Sequence, residues 1–217
     1  MNVEQARFNM IEQQIRPWDV LDGKVLALLA LVKREDFVPA GLRTLAFVDE
    51  ELPLGEGEFM LAPRVEARLL QEAGVQRHER VLEVGTGSGF MAALLSHRAR
   101  SVLTLEDKPA LAAQARRNLL HAGVHGVTVR EADGCLGAAA DGPFDVIVLS
   151  GSVHSVPQAL LQQLKIGARL VAIVGDEPVM SAVRVLRTAD ARFEQTALFD
   201  TVAPRLRGFE PESRFQF

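Results

Sequence analysis

The stretch that decides the fold is Val81-Leu82-Glu83-Val84-Gly85-Thr86-Gly87-Ser88-Gly89-Phe90. Apart from one glutamate, its first four residues are valine and leucine, a composition that predicts a buried strand. Three alternate glycines follow, and then "GFMAALLSHRA", which has the composition of a helix. A glycine turn between strand and helix falls at the carboxyl edge of an open α/β sheet, where such sheets bind ligands. Glycine allows the sharp turn and the close approach of a ligand, because no Cβ fills the space. The pattern predicts a ligand site rather than a bare turn.

Downstream, "SVLTLE", "GVTVREAD", "FDVIVLS" and "ARLVAIVG" supply further short apolar strands. The helices between them are opened by Pro109 and by Ser155 with Pro157, and closed by Gly123 and Gly167. Strand–helix alternation predicts a mainly parallel sheet with helices on both faces, an α/β fold of the Rossmann-like kind. "SAVRVLR" and "RFEQTALFDTV" alternate about Thr188-Ala189-Asp190-Ala191, which predicts an antiparallel hairpin added to the sheet edge. Upstream, Asn2 caps a helix reaching Arg16, where Pro17 stops it. A second helix runs Val25–Lys33, and a third opens on Pro63 and ends at Gly74. The glycine-rich "LGEGEFMLAP", Leu54–Pro63, reads as a loop. The expected organisation is one domain over 1–217: a helical region 1–76, an α/β core 77–176, and a hairpin with tail 177–217.

Composition narrows the class. At 217 residues, 48% hydrophobic and 24% charged, the chain can bury a sizeable core and is not disordered. A net charge of −4 gives no basic footprint for nucleic acid or an anionic membrane. The longest apolar run, Val25–Val32, is far below the roughly 20 residues of a membrane span. Met1-Asn2-Val3-Glu4 lacks the features of a secretory leader, and the single cysteine, Cys135, cannot form an internal disulfide. A cytoplasmic protein is expected, with neither nucleic acid nor membrane as partner.

The ligand follows from the charges around the turn. The loop is G-x-G-x-G, not the dinucleotide G-x-G-x-x-G. Glu83, two residues before Gly85, would repel a pyrophosphate and suits an ammonium group. Glu106 ends the second strand, 17 residues beyond Gly89, where a carboxylate takes both hydroxyls of a ribose. Asp133, ending the third, is placed to accept from an exocyclic amine such as adenine's. Ribose, adenine and an amino-acid ammonium together describe S-adenosylmethionine. The expected cofactor site comprises Glu83, Gly85, Thr86, Gly87, Ser88, Gly89, Glu106, Asp133 and Gly134.

"LEVGTGSG" resembles the first motif of the Rossmann-like, S-adenosylmethionine-dependent methyltransferases. From Met10 to Gly57, with "KREDFVP" and "DEELPLGEG" the most specific parts, and again in "EADG" and "PFDVIVLS", the chain resembles the protein-L-isoaspartate O-methyltransferase family. The resemblance covers about Arg7 to Gly175. It implies methylation of the carboxylate of damaged aspartyl residues, a protein or peptide partner carrying isoaspartyl residues, and S-adenosylhomocysteine as product. It also puts the substrate on the 1–76 side, with "LGEGEFMLAP" at the active-site rim. There the family reads glycine, glutamine, threonine, isoleucine, serine, any residue, proline, histidine. This chain has Gly57, Glu58, Phe59, Met60, Leu61, Ala62, Pro63, Arg64. Both hydroxyls are replaced, by Phe59 and Leu61, which leaves open a different, small-molecule acceptor or a donor-binding protein without isoaspartyl turnover.

Glu58, Phe59, Leu61 and His154 are the acceptor-side candidates, His154 because it follows the fourth strand beside Ser150, Gly151 and Ser152. The remaining histidines form no metal-ligand pattern, and no metal is expected. Cys135 is read as a small buried hydrophobe, and Asp145 as a capping or pairing residue. Trp18 either covers a pocket or anchors the N-terminal helices. The tail from Pro204 matches no pattern.

Overall fold

The computed structural model describes residues 2–210. Asn2 accepts from the Gln5 N–H and caps helix α1 (Val3–Met10). The segment then departs from the expected single helix: Ile11–Ile15 widens into a π turn and Arg16–Trp18 tightens into a 3₁₀ turn. Ile11 and Ile15 stay buried throughout, so burial of the apolar stripe outweighs helical regularity. Asp22 caps α2 (Gly23–Leu31).

The rim sequence is not a loop. Leu52–Gly55 (β1) pairs antiparallel with Glu58–Met60 (β2) across a two-residue connection, with Gly55 opposite Glu58. Glu56 and Gly57 both have positive φ, 56° and 81°, as a type I′ hairpin requires. Period-2 alternation decides the outcome, since Leu52 and Met60 face each other and are buried while Pro53 and Phe59 are exposed. α3 (Pro63–Ala73) follows, opened by proline and stopped by left-handed Gly74, as expected.

Five parallel strands build the core: β3 (Arg80–Val84), β4 (Ser101–Glu106), β5 (Val127–Glu131), β6 (Phe144–Val153) and β7 (Leu164–Asp176). Helices α4 (Phe90–Ser96) and α5 (Pro109–His121) connect the first three. β8 (Val179–Ala189) and β9 (Arg192–Asp200) add the expected antiparallel hairpin, turning at Asp190-Ala191, and the sheet order is β5-β4-β3-β6-β7-β8-β9. The chain steps outward from β3 to β5, then returns to lay β6 on the other side of β3. Order therefore reverses between β3 and β6, the place where doubly wound sheets open a crevice.

Alternation along β3 and β6 assigns the two faces. Val81, Val146 and Val148 join the cluster that contains α2, α3 and α4, while Leu82, Val84, Ile147 and Leu149 join the cluster on the opposite face. One helix differs from expectation: α6 (Gln158–Leu161) is a single turn, and β7 begins at Leu164 rather than after Gly167. Pairing with β6 competes for these residues, with Phe144 opposite Leu164 and Val146 opposite Arg169 across a register shift. Among the described residues, no helix is long and apolar enough to cross a membrane.

Candidate active site

Glu83 lies on the α3–α4 face of β3, between Thr104 of β4 and Val148 of β6, and has 0% exposure. Its Oε1 accepts from the Ser150 hydroxyl at 2.7 Å, while its buried Oε2 has no partner. Burial pushes its pKa up to about 8 against the pull of the Ser150 and Thr104 hydroxyls. An isolated buried carboxylate is costly, so the group holds its proton until a cation arrives. Glu66 lies on the same side, also buried, raised to about 7 by burial against the pull of its ion partner Arg34.

Beyond Glu83 the backbone turns at Gly85 (φ +89°), where an L side chain would be strained. The N–H groups of Gly85 and Thr86 donate to Leu105 O, and the Thr86 and Thr104 hydroxyls share a 2.6 Å hydrogen bond. These contacts tie the turn to β4. Ser88 O accepts from the Asn118 amide, and Gly89 packs against Leu119 and Ala115 of α5. Thr86, Ser88 and Gly89 thus shape the turn from behind, while Gly85 and Gly87 face the crevice.

Glu106 ends β4 with both carboxylate oxygens engaged, by Gly87 N–H at 2.8 Å and Lys108 N–H at 3.1 Å. Burial raises its pKa against those two donors. Each oxygen keeps a second lone pair, so the carboxylate remains able to accept from hydroxyls. Gly134 lines the same crevice and has no room for a side chain, because a Cβ would lie 2.2 Å from Val84 Cγ1. Asp133 is exposed and caps the turn below it, its Oδ1 accepting from Cys135 N–H. It borders a neighbouring hollow shared with Asp107 and Arg207 rather than the crevice proper.

The acceptor-side candidates separate. Glu58 and Phe59 line the crevice mouth, Phe59 at 45% exposure, and partial burial raises the Glu58 pKa. Leu61 is only 3% exposed and belongs to the core; its carbonyl accepts from Arg34. His154 is not brought to the crevice. Its Nδ1 contacts Asp176 Oδ2 at 2.7 Å at the exposed ends of β6 and β7, because β6 runs three residues past Ser150 and carries His154 beyond the turn. Trp18 anchors rather than covers: Arg64 stacks 4.2 Å over its ring, and Phe199 of β9 meets it edge-on at 6.1 Å. Asp145 pairs with Lys165 and accepts from Arg80 N–H. Cys135 is half-buried, its thiol pushed up to about 12 by burial and the neighbouring Asp133.

Comparison with known proteins places this geometry. A family model described as protein-L-isoaspartate(D-aspartate) O-methyltransferase matches residues 5–203. The chain belongs to that family. Curated relatives agree: a Methanoculleus marisnigri protein-L-isoaspartate O-methyltransferase is 40% identical over 84% of this chain and 83% of its own. A Marinobacter nauticus protein-L-isoaspartate O-methyltransferase 2 is 39% identical over 96% of each. Among solved structures, a protein-L-isoaspartate O-methyltransferase superposes with TM-score 0.79 at 23% identity, covering 93% of this chain and 66% of that one. A Plasmodium falciparum protein assigned to the same enzyme class, in complex with S-adenosyl-L-homocysteine, also gives 0.79, at 17% identity over 95% and 99%. The fold shared with them is the Rossmann-like methyltransferase architecture expected from the glycine turn.

Further residues lie at or beside the crevice. Ser150 holds Glu83, and it was findable as the hydroxyl ending the strand beside β3. Leu206, Arg207 and Phe209 line the crevice from the segment after β9, and no local pattern marks them. Arg34 and Glu66 sit beneath the rim. Their burial, at 1% and 4%, is a tertiary fact that charged residue types conceal.

Proposed function

We propose that this chain transfers the methyl group of S-adenosylmethionine to the carboxylate of isoaspartyl or D-aspartyl residues in damaged proteins. The observation that carries the reading, beside family membership, is the Glu83 carboxyl: buried, with one orphaned oxygen, at the base of a side-chain-free turn. A buried acid without a partner calls for a cationic ligand, and the donor's ammonium is one. Glu106, with a free lone pair on each oxygen, suits the ribose hydroxyls, and Gly85, Gly87 and Gly134 leave room for the backbone to approach. Asp133 stands at the far side for the adenine amine.

Bound there, S-adenosylmethionine supplies an electrophilic methyl on a positively charged sulfur. An acceptor carboxylate has an ordinary pKa near 4 and is ionised at neutral pH. The chain therefore needs no general base. Its work is to orient the nucleophile in line and to strip water from it. Phe59 provides an apolar flank at the mouth, with Glu58 beside it. Without a hydroxyl at Phe59, the rim forgoes a hydrogen bond worth about 1.5–3 kcal/mol to a charged group.

A transfer assay with labelled donor tests the reading. Label should appear as a base-labile ester on an isoaspartyl peptide and not on its aspartyl counterpart. Absence of label on the isoaspartyl peptide, with the donor demonstrably bound, would overturn the acceptor assignment.

A further inference from the structure

The segment after β9 returns to the glycine turn. Ser152 N–H donates to Pro204 O at 2.7 Å, Leu206 N–H donates to Ser152 O at 2.9 Å, and His154 N–H donates to Phe209 O at 3.2 Å. Arg205 Nη2 reaches Gly175 O and Asp176 Oδ1, both at 2.6 Å, and Phe209 is buried in the core of the far face. Between these anchors Leu206 lies across the turn. A Cβ on Gly85 would stand 2.6 Å from Leu206 Cδ2, and one on Gly151 would stand 2.8 Å from it. The side of Gly85 on which a Cβ would stand is covered by the chain's own leucine, which also walls the crevice.

What remains is small. The crevice lined by Gly85, Glu106, Leu206 and Arg207 holds about 60 Å³, whereas clefts for drug-sized ligands run roughly 300–1,000 Å³. The narrow part is the methionine end, since the neighbouring hollow at Asp107, Asp133 and Arg207 holds about 530 Å³. Leu206 stands at the Glu83 end, since the Cβ position on Gly85 is 3.8 Å from Ser150 Cβ, and Ser150 holds Glu83.

We propose that residues 203–210 form a strap in which Leu206 occupies the methionine end of the donor site, so that donor and strap compete for the face of Gly85. The proposal rests on the donor reading above. Arg207 and Gly208 are exposed and Leu206 is half-buried, so the middle of the strap can lift locally once its three backbone hydrogen bonds to β6 and the Arg207–Asp107 ion pair at 3.3 Å give way. Apparent donor affinity is then the intrinsic affinity scaled by the open fraction.

The chain carries its own reporter. Cys135, the single cysteine, donates through Sγ to Gly208 O at 2.9 Å and lies under the strap. Lifting Gly208 uncovers the thiol and eases the burial that suppresses its ionisation.

Alkylation of the unmutated full chain by N-ethylmaleimide, with and without saturating S-adenosylhomocysteine, reads the strap directly. The rate at Cys135 should rise at least about fivefold with ligand bound. Calorimetry of Leu206→Ala should show S-adenosylhomocysteine bound at least about fivefold more tightly than by the parent, with the volume-conserving Leu206→Met within about twofold of it. An unchanged Cys135 rate with the ligand bound, or equal affinities for Leu206→Ala and parent, overturns the strap while leaving the donor reading standing. Failure of every form to bind the ligand at millimolar concentration overturns the donor reading, and the strap with it.

Discussion

Glu83 is a carboxyl set where the alternation of β3 asks for an apolar side chain, and its chemistry follows from that misplacement. With a pKa near 8, it enters a neutral solution mostly protonated and must ionise to meet an ammonium group. Binding of S-adenosylhomocysteine at pH 7 should therefore release most of one proton, measured by calorimetry in two buffers of different ionisation enthalpy. Glu83→Gln should abolish that release; equal release from the variant would assign the proton elsewhere. The two rim substitutions should behave differently from each other. Phe59 is exposed, so Phe59→Thr should change stability by less than about 0.5 kcal/mol and raise isoaspartyl turnover by restoring a hydroxyl. Leu61 is core, and Leu61→Ser should cost about 2–5 kcal/mol by urea titration, which removes it from the set of residues that can be exchanged for function alone.

At the scale of elements, the β1–β2 hairpin is held over the donor turn by a buried guanidinium. Arg34 donates to Ala46 O at 3.1 Å, to Leu61 O at 2.7 Å and to Glu66 Oε2 at 2.6 Å, and lies within 5.5 Å of the Phe90 ring. Arg34→Ala would leave Glu66 buried without its cation and should cost about 3–5 kcal/mol. Pairing Arg34→Met with Glu66→Leu should recover a large part of that loss. If the double variant is no more stable than the single one, the carbonyl hydrogen bonds outweigh the ion pair. The hairpin turn itself carries a local conflict, since Glu56 adopts a left-handed conformation that favours asparagine. Glu56→Asn should raise stability by about 0.5–2 kcal/mol, read as a higher urea midpoint at unchanged slope.

Across the whole molecule, the buried acids set the pH response. The folded-state pKa values of Glu83 and Glu66, about 8 and about 7, lie above an ordinary glutamate's. The native state thus binds more protons than the unfolded chain between about pH 4.5 and 8. Their contribution is fully present below pH 4.5 and is lost as pH rises through 7 and 8. Glu79 and Asp145 are shifted downward, with Arg169 donating to the first and Arg80 N–H and Lys165 to the second. Their contribution disappears only as pH falls below the usual carboxylate range. The melting temperature should therefore peak on the mildly acidic side and fall toward pH 8.5. In Glu83→Gln the fall should be shallower, and parallel curves for variant and parent would contradict the assignment. The same whole-molecule scale places the site: the strand order reverses between β3 and β6, so Glu83 and Ser150 meet across neighbouring strands although 67 positions separate them.

The sequence by itself determined what local patterns encode. Alternation and helical period, with proline and glycine at the element ends, gave the parallel core, the terminal hairpin and the glycine turn, because these depend on neighbours within a few residues. Glu83 and Glu106 were legible as candidate carboxylates for the same reason, one next to last in β3 and the other closing β4, both beside that turn. Tertiary structure alone decided which side chains face the crevice. It turned His154 toward Asp176, sank Leu61 into the core and drew Arg34 under the rim. It also carried Leu206 back across Gly85. These outcomes depend on contacts between residues far apart in the chain, where desolvation and packing overrule residue type, and no window of sequence contains both partners.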